Sequence, residues 1–479
     1  MSTTFSSPET GAAPMTPRAA ATLIVLCGAI FLEGIDVAML NIALPAIRSD
    51  LNLTTTTLSG VVSAYVLGYA GFMLLGGRAA DIFGKRRVFL SALAVFIAFS
   101  GLGGLATEGW MLLLARFVTG AASAFMTPAG LALVTTSFPE GPQRNRAVTI
   151  YASTASAGFS FGLVLGGFLS AIDWRWVFFA PVILALLTFA AAIRLIADTQ
   201  SATAKERFDI PGAVALTAAM LLAVHGVTRL EHPDQNWAWT LGVFGASAAL
   251  WLAFVLVERR SASPLVRFGI FRSGSLVRSN LGALLFAGSF FGFQFIATLY
   301  LQELLGWTPM QTSIAMLVIG IDAVVAPILT PRLVDRFGNE RVIFGGFVLA
   351  AISYALLLRM ELDWTYAAIF PSMLLLGLAF SIAYSPLTIT ATDGIREDEQ
   401  GLAGGLVNTA FQFGAALGLS GASAIGAYAL GDSTSAEARL VSLQTALIVP
   451  VAAAVAGALI TATGIRRRCG VPCDQAMPS

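Results

Sequence analysis

The sequence alternates long apolar runs with short polar segments from about residue 20 to about residue 465. Many runs exceed about 18 residues and hold at most one or two ionisable groups, which suffices for a helix to cross roughly 30 Å of hydrocarbon. Only 11% of the residues are charged and the mean hydropathy is +0.80, whereas a soluble chain of this length needs far more charged surface. The chain is therefore predicted to be an all-α integral membrane protein.

Fourteen apolar runs are predicted to be transmembrane helices. They lie near residues 20–47, 55–77, 88–106, 110–137, 147–171, 175–194, 210–229, 237–257, 280–302, 309–331, 341–358, 364–390, 402–430 and 441–464. Since the number is even, both termini are expected on the same side of the membrane.

The basic residues indicate which side each loop faces. Of the 28 Lys and Arg, Arg116 lies inside a span and 22 lie in one set of loops and the termini. The other set of loops holds five, which are Arg48, Arg175, Arg229, Arg359 and Arg439. Because positive charge is retained in the cytoplasm, we expect both termini to be cytoplasmic and the protein to lie in the plasma (inner) membrane. The net charge of +1 gives no indication of a nucleic-acid partner.

Two loops carry the same motif, R-x-x-D-x-F-G-x-x-R-V, at residues 78–88 and 332–342. Asp335 follows Asp81 by 254 residues (335 minus 81), or eight spans. This offset predicts two pseudo-symmetric six-helix bundles with two intervening helices, because duplicated halves are common in secondary transporters. The predicted parts are a disordered cytoplasmic leader (1–18), an N-terminal bundle (19–200), a two-helix insert (201–275), a C-terminal bundle (276–465) and a cytoplasmic tail (466–479).

Glycines recur at four-residue spacing in spans 5 and 13, which allows close helix packing in lipid. They are Gly158, Gly162 and Gly166, followed by Gly167, in span 5, and Gly414 and Gly418 in span 13.

Four segments together resemble the major facilitator superfamily, and within it the fourteen-helix drug:proton antiporters. Residues 36–45 are similar to the family signature D-x-x-x-x-N-x-A-L-P, and residues 77–87 to the superfamily's loop motif. Residues 116–120 match R-x-x-x-G, and residues 174–178 are similar to the segment that opens span 6. The antiporter motif of span 5 departs from the family pattern, because Leu163 stands in the proline position.

The resemblance implies that the loop motif latches helix ends together in one conformation; the alternative is a helix-end cap that anchors the topology. The residues concerned are Gly77, Arg78, Asp81, Gly84 and Arg87, with Asp335 and Arg341 in the second copy.

Three acids are predicted to lie deep in the spans, namely Glu33, Asp36 and Asp322. Desolvation favours the neutral form of a carboxyl group, so such a residue can accept a proton and later exchange it for a cation. The alternative is a structural ion pair or an inert protonated carboxyl. Arg116 lies inside span 4 and must find a carboxylate or carbonyl partner or line water. The resemblance links it to proton movement, and a structural pair is the alternative.

Aromatic and amide side chains are candidates for a substrate cavity. Facing inward, the phenylalanines would bind flat aromatic cations through their ring faces; facing lipid or packed together, they would be ordinary. The candidates are Phe286, Phe290, Phe293 and Gln294 in span 9, Asn408 and Gln412 in span 13, and Asn41 in span 1.

The leading functional hypothesis is export of hydrophobic, cationic drugs or dyes in exchange for protons. A dedicated exporter of one metabolite or antibiotic is the second hypothesis, and a non-transporting membrane sensor is the third. The sequence contains no phosphate-binding loop and no zinc motif, so we expect no enzymatic activity, no cofactor and a proton gradient as the energy source. The expected partners are a small-molecule substrate, protons and lipid, with the monomer as the functional unit.

Overall fold

The computed structural model describes residues 15–138, 142–196, 210–229, 237–261, 268–395, 397–431, 433 and 435–469. These residues form sixteen α-helices, which are α1 (Pro17–Leu51), α2 (Thr55–Phe83), α3 (Lys85–Gly104), α4 (Gly109–Ser137), α5 (Pro142–Ile172), α6 (Trp176–Leu195), α7 (Ile210–Arg229), α8 (Trp237–Arg260), α9 (Gly274–Leu299), α10 (Pro309–Met316), α11 (Asp322–Phe337), α12 (Asn339–Leu357), α13 (Tyr366–Thr392), α14 (Glu397–Leu430), α15 (Ala436–Ala446) and α16 (Ile448–Cys469). The described residues also form two 3-10 helices, at Phe268–Arg272 and Leu317–Ile321, and a π-helix at Tyr300–Leu304.

Twelve helical segments of the described residues are long and apolar enough to cross a membrane. One of them, Pro309–Phe337, contains α10 and α11, and another, Ala436–Ile465, contains α15 and α16. Helices α2 and α7 contain the shorter apolar segments Thr57–Met73 and Val214–Ala223. The multi-pass, all-helical architecture is confirmed, while the count of fourteen spans stays a prediction for these two helices.

The boundary predicted for the N-terminal leader is wrong by a few residues. Thr16 caps α1 by accepting a hydrogen bond from the Ala19 N–H (3.3 Å), and Pro17 opens the helix. Proline is tolerated in the first turn because its missing N–H would be unsatisfied there. Residues 17 and 18 are therefore helical rather than part of a disordered leader. The last helix continues to Cys469 and includes the start of the predicted tail; residues 1–14 and 470–479 lie outside the described residues.

The two halves repeat one helix-packing arrangement. In the N-terminal half, a Cβ at Gly34 of α1 would lie 2.9 Å from the Gly158 carbonyl carbon of α5. In the C-terminal half, a Cβ at Gly288 of α9 would lie 3.0 Å from the Gly414 carbonyl oxygen of α14. Gly288 follows Gly34 by 254 residues (288 minus 34), the offset of the loop motif. Glycine at these positions lets the helix backbones touch.

The two motif loops share one backbone conformation. Gly84 joins α2 to α3 with φ 94° and ψ 127°, and Gly338 joins α11 to α12 with φ 81° and ψ 155°. Side chains other than hydrogen rarely tolerate such a φ. The sequence repeat is thus also a structural repeat. We call the end of the bundle that carries these glycines the motif end, and the opposite end the Arg48 end.

The two halves contact each other where α2 packs against α14 and where α5 packs against α10. Ser63 of α2 and Ser420 of α14 share a hydrogen bond of 3.1 Å. Helix α7 lies beside this contact. The Thr217 hydroxyl of α7 donates to the Gly71 carbonyl of α2 (2.6 Å), and buried apolar residues of α7 pack against Phe413 of α14. The insert therefore packs against both halves.

Candidate functional site

A cavity of about 910 Å³, including the space open at its mouth, lies between the two halves. Glu33 of α1 and Asp322 of α11 line it, so each half contributes one carboxylate. Seven aromatic rings line it as well, from Tyr65, Phe159, Phe290, Phe291, Phe380, Tyr384 and Phe411. No Lys or Arg is among the described residues that line this cavity. Its wall is therefore both acidic and aromatic.

Glu33 is held in place from a neighbouring helix. Its Oε2 accepts a hydrogen bond of 2.6 Å from the Thr127 hydroxyl of α4. Tyr69 of α2 is a second hydrogen-bonding neighbour of this carboxylate. Thr127 and Tyr69 cannot be recognised as site residues from the sequence, because one hydroxyl in an apolar span carries no signal until its partner is known.

Asp322 lies at an interruption of its span. The 3-10 turn Leu317–Ile321 separates α10 from α11, and Asp322 is the first residue of α11. The Ser160 hydroxyl of α5 donates to the Gly320 carbonyl in this turn (3.5 Å). The interruption thus lies on the contact between the halves, and it places the carboxylate at the N-terminal end of a helix, where negative charge is stabilised.

The aromatic side of the cavity is a connected group of rings. Phe380 stacks on Tyr384 with 5.3 Å between the centroids and 16° between the planes. Phe290 of α9 contacts Phe380 with the centroids 5.0 Å apart. Ring faces at these positions offer flat surfaces to a ligand.

Asp36 does not line this cavity, although it shares a helix face with Glu33. Its Oδ2 accepts a hydrogen bond of 2.6 Å from the Arg116 Nη1 of α4, and both side chains are only 2% exposed. The guanidinium carbon lies 4.3 Å from the centre of the Tyr65 ring, and Tyr65 itself lines the cavity. The prediction that Asp36 contacts a cation in the cavity is therefore not met here, because its charge is already paired behind Tyr65.

The three candidate phenylalanines of span 9 have different surroundings. Phe290 lines the cavity. Phe286 packs edge-on against Phe347 (5.5 Å between centroids), and Phe293 packs against Tyr354 (4.9 Å). All three are buried. Phe286 and Phe293 fit the packing alternative rather than the cavity prediction, because rings of α12 cover them.

The predicted amides also separate into two groups. Gln412 of α14 lines the cavity, whereas Asn408, one turn earlier, is half-buried and is not among the lining residues. Asn41 and Gln294 are buried in the interior and do not line it either. The cavity prediction is therefore not met for these three amides, because the sequence does not show which neighbouring helix covers each of them.

The glycines of span 5 position the acidic segment of α1. A Cβ at Gly162 would lie 2.8 Å from the Ile35 Cα, and a Cβ at Gly166 would lie 2.8 Å from the Met39 Cα. Gly158 packs against the preceding turn of α1, as described above. Gly167 instead faces α10, where a Cβ would lie 2.6 Å from the Ser313 Cβ, so it serves the contact between the halves.

The residues predicted to form a latch lie at the motif end. Arg78 is half-buried and engaged in an interaction, and Gly77 lies near Pro128 of α4, 3.8 Å from the position of an added Cβ. Arg87, Asp335 and Arg341 are exposed. The side chain of Asp81 lies outside the described residues, so the latch stays a prediction.

The Arg48 end is closed by contacts between the halves. Arg48 Nη1 of α1 lies 2.8 Å from both carboxylate oxygens of Glu303, which belongs to the π-helix after α9. The neighbouring Gln302 donates from Nε2 to the Ile42 carbonyl of α1 (2.9 Å). The predicted topology has Arg48 in a loop without a partner, since Arg48 and Glu303 are 255 positions apart in the chain.

Two related helical halves that enclose a cavity within a membrane-spanning bundle define a protein of the transporter class. The sequence model of the Major Facilitator Superfamily matches residues 26–419 of this chain. The chain belongs to this superfamily, and it is a multi-pass membrane transporter rather than an enzyme. The finer assignment to the fourteen-helix antiporters remains a prediction.

Curated relatives carry names that refer to antibiotics. The chain is 36% identical over 424 residues to the cephamycin export protein CmcT of Amycolatopsis lactamdurans, covering 86% of each chain. It is 33% identical over 462 residues to the puromycin resistance protein pur8 of Streptomyces alboniger, covering 93% of this chain and 90% of that one.

Solved structures share the fold at low sequence identity. The nucleoside transporter NupG superposes with a TM-score of 0.67 at 13% identity, covering 93% of this chain and 99% of that one. A bacterial homologue of the human lysosomal transporter Spinster, solved in an inward-facing and unoccupied conformation, superposes with a TM-score of 0.66 at 15% identity, covering 95% and 99%. These likenesses concern the fold alone.

Proposed function

We propose that this protein is a proton-coupled antiporter that exports small hydrophobic cations by alternating access. The observation that carries the proposal is the cavity wall, where the charged lining residues are Glu33 and Asp322, surrounded by seven aromatic rings. Carboxylates attract a cation, and ring faces bind its flat apolar body. The arrangement suits an organic cation better than an anion.

The energies favour this class of ligand. At an effective dielectric constant of about 20, a carboxylate about 4 Å from a single positive charge contributes about 4 kcal/mol. A ring face adds about 0.5–2 kcal/mol. Part of this energy is spent on desolvating the ligand, but a neutral molecule of the same shape would gain neither term.

Protons and cations would compete for the same carboxylates. A carboxyl group that accepts a proton becomes neutral, and its attraction for the cation ends. Protonation from the outside would therefore release the substrate, and deprotonation towards the cytoplasm would prepare the site for the next one. The pair of Asp36 and Arg116 is a second place for a proton, because protonated Asp36 would no longer hold Arg116 as an ion pair, which would loosen the contact between α1 and α4.

The proposed topology has fourteen spans, with α2 and α7 crossing the membrane and the motif end in the cytoplasm of a monomer in the plasma membrane. The Arg48 end would then face outward. Its closure by Arg48 and Glu303 would leave the cavity accessible from the cytoplasm, which is the state that loads substrate.

A dedicated exporter of one antibiotic is the second candidate. It is favoured by the relatives, since one is named for the export of cephamycin and another for resistance to puromycin. A narrow substrate range would support it.

The test is ethidium efflux from a pump-deficient bacterial strain that expresses the protein, with and without a protonophore. We expect protonophore-sensitive efflux, lowered at least about 10-fold by Glu33→Gln or Asp322→Asn, because each change removes one charge from the cavity (about 1.4 kcal/mol per tenfold). The control is Asp173→Asn, whose side chain is 43% exposed and lies outside the cavity. Absence of efflux from wild-type protein shown to be in the membrane would reject the multidrug proposal, and resistance to cephamycin and puromycin would then test the second candidate.

A further inference from the structure

Gln294 of α9 is buried in a way that needs an explanation. Its side chain is 0% exposed, and neither the amide oxygen nor the amide nitrogen has a hydrogen-bond partner among the described residues. Leaving a buried polar group unpaired is unfavourable, and most buried polar groups in proteins are paired. Asn41 of α1 is similar, since its Nδ2 donates to the Val37 carbonyl of its own helix (2.9 Å) while its Oδ1 has no partner.

Both amides lie just beyond the cavity. Phe290 and Phe291 line it, and Gln294 follows them by four and three residues, which places it on the same side of α9. Asn41 likewise follows the cavity residue Val37 by four. Four residues of helix advance about 6 Å. The two amides, one from each half, therefore stand one turn past the cavity on the side of the Arg48 end.

The contacts that close the Arg48 end join the elements that carry these amides. Gln302 and Glu303 follow α9, and they bind Ile42 and Arg48 of α1. When these contacts break, α1 and the end of α9 separate. Gln294 and Asn41 then lie between the cavity and the Arg48 end, with amide atoms that have no partner among the described residues.

We propose that Gln294, together with Asn41, forms a second substrate subsite that is used when the halves separate at the Arg48 end. This inference rests on the export function proposed above. A primary amide offers both a donor and an acceptor, so the subsite selects cations that also carry neutral hydrogen-bonding groups such as amino, hydroxyl or carbonyl groups. The amide atoms without a partner, which are both of Gln294 and the Oδ1 of Asn41, are unfavourable in the present conformation, and the substrate satisfies them in the other one.

If Gln294 belongs to a substrate subsite, its replacement should affect protein stability and substrate transport differently. Replacing Gln294 by leucine removes the unpaired atoms from the present conformation, so the thermal unfolding midpoint should stay the same or rise. Transport of a hydrogen-bonding cation should fall, because the subsite has lost its donor and acceptor. A purely structural role for the amide would lower the midpoint instead.

The experiment uses the full chain in proteoliposomes with an imposed proton gradient and two probe cations. Ethidium carries two aryl amino groups, whereas tetraphenylphosphonium has no hydrogen-bonding group. We expect Gln294→Leu to lower ethidium transport about 10-fold and to leave tetraphenylphosphonium transport unchanged. The matched control is Gln444→Leu, since the Gln444 amide donates to the Met360 carbonyl (2.9 Å) away from the cavity; it should lower the midpoint and leave the ratio of the two rates unchanged.

Several results would overturn the subsite. They are an equal loss of both transport activities, unchanged ethidium transport, or a midpoint lowered as in the control. Gln294→Met has a flexible apolar side chain of about the same length as glutamine, so it should show the same ratio of ethidium to tetraphenylphosphonium transport as Gln294→Leu. If neither variant folds, the amide is structural and the inference is wrong. Wild-type protein that moves neither cation would refute the proposed function and the subsite with it, whereas wild-type transport of both with an unchanged ratio in the variants refutes the subsite alone.

Discussion

The buried pair of Asp36 and Arg116 allows a quantitative prediction for Asp36→Asn. The two charged atoms lie 2.6 Å apart and both side chains are 2% exposed. Removing one partner of a buried ion pair costs about 3–5 kcal/mol, because the other charge stays buried without compensation. We expect the lower end of this range, since an asparagine oxygen still accepts a hydrogen bond and the Tyr65 ring still faces the guanidinium.

An exposed ion pair in the same half serves as the comparison. Arg175 and Asp50 lie 3.0 Å apart with side chains that are 31% and 46% exposed. Such pairs contribute about 0–1 kcal/mol, and an asparagine at position 50 still accepts the hydrogen bond of Trp174. Asp50→Asn should therefore shift the thermal midpoint far less than Asp36→Asn.

The assay combines thermal unfolding of purified protein in detergent with ethidium efflux in cells. Asp36→Asn should lower the midpoint by several degrees, remain folded and lose coupled export. Adding Arg116→Gln removes the uncompensated charge, so the double variant should recover most of the midpoint but not export. Equal midpoints for Asp36→Asn and Asp50→Asn would refute the argument from burial, and normal export by Asp36→Asn would remove this residue from the transport cycle.

Three further predictions concern packing, backbone and closure. Gly162→Leu should reduce the amount of folded protein, because its Cβ would lie 2.8 Å from α1 backbone and overpacking costs about 1–3 kcal/mol or more; Gly242→Ala, where nothing lies within 4 Å, should leave the amount unchanged. Gly338→Ala should lower the thermal midpoint, because φ is 81° there and this strain costs about 1 kcal/mol or more; an unchanged midpoint would contradict the conformation. Glu303→Gln should weaken the ion pair with Arg48 that closes the Arg48 end. In a Ser420→Cys background, the new thiol should then react faster with an impermeant thiol reagent added outside than it does with Glu303 intact. Equal reaction rates would argue against this closure.

Local patterns in the sequence predicted the elements well where a single helix decides the outcome. Apolar runs identified the helices, because a helix in lipid satisfies its own backbone hydrogen bonds wherever it packs. The repeated loop motif identified the related halves, and Gly84 and Gly338 adopt the same left-handed backbone region in both copies. The start of α1 is misplaced in the prediction, since apolarity does not report a cap such as Thr16.

Predictions that depend on neighbouring helices were less reliable. Glu33 and Asp36 are three residues apart on one helix, yet Glu33 lines the cavity and Asp36 is paired with Arg116. Phe290 lines the cavity while Phe286, one turn away, packs inside the C-terminal half. Helical spacing places such residues on one side of α1 or α9, but the packing of the neighbouring helices α2, α4 and α12 decides what each residue contacts.

The sequence by itself determined that this chain is helical, spans a membrane repeatedly and consists of two related halves. It also identified the few deep charges, because carboxylates and arginines are rare in apolar spans for energetic reasons. Only the tertiary structure decided which acids share a cavity, which acid is neutralised by Arg116, and that Arg48 meets Glu303 across 255 positions. Those pairings arise between helices far apart in the chain, and local periodicity carries no information about them.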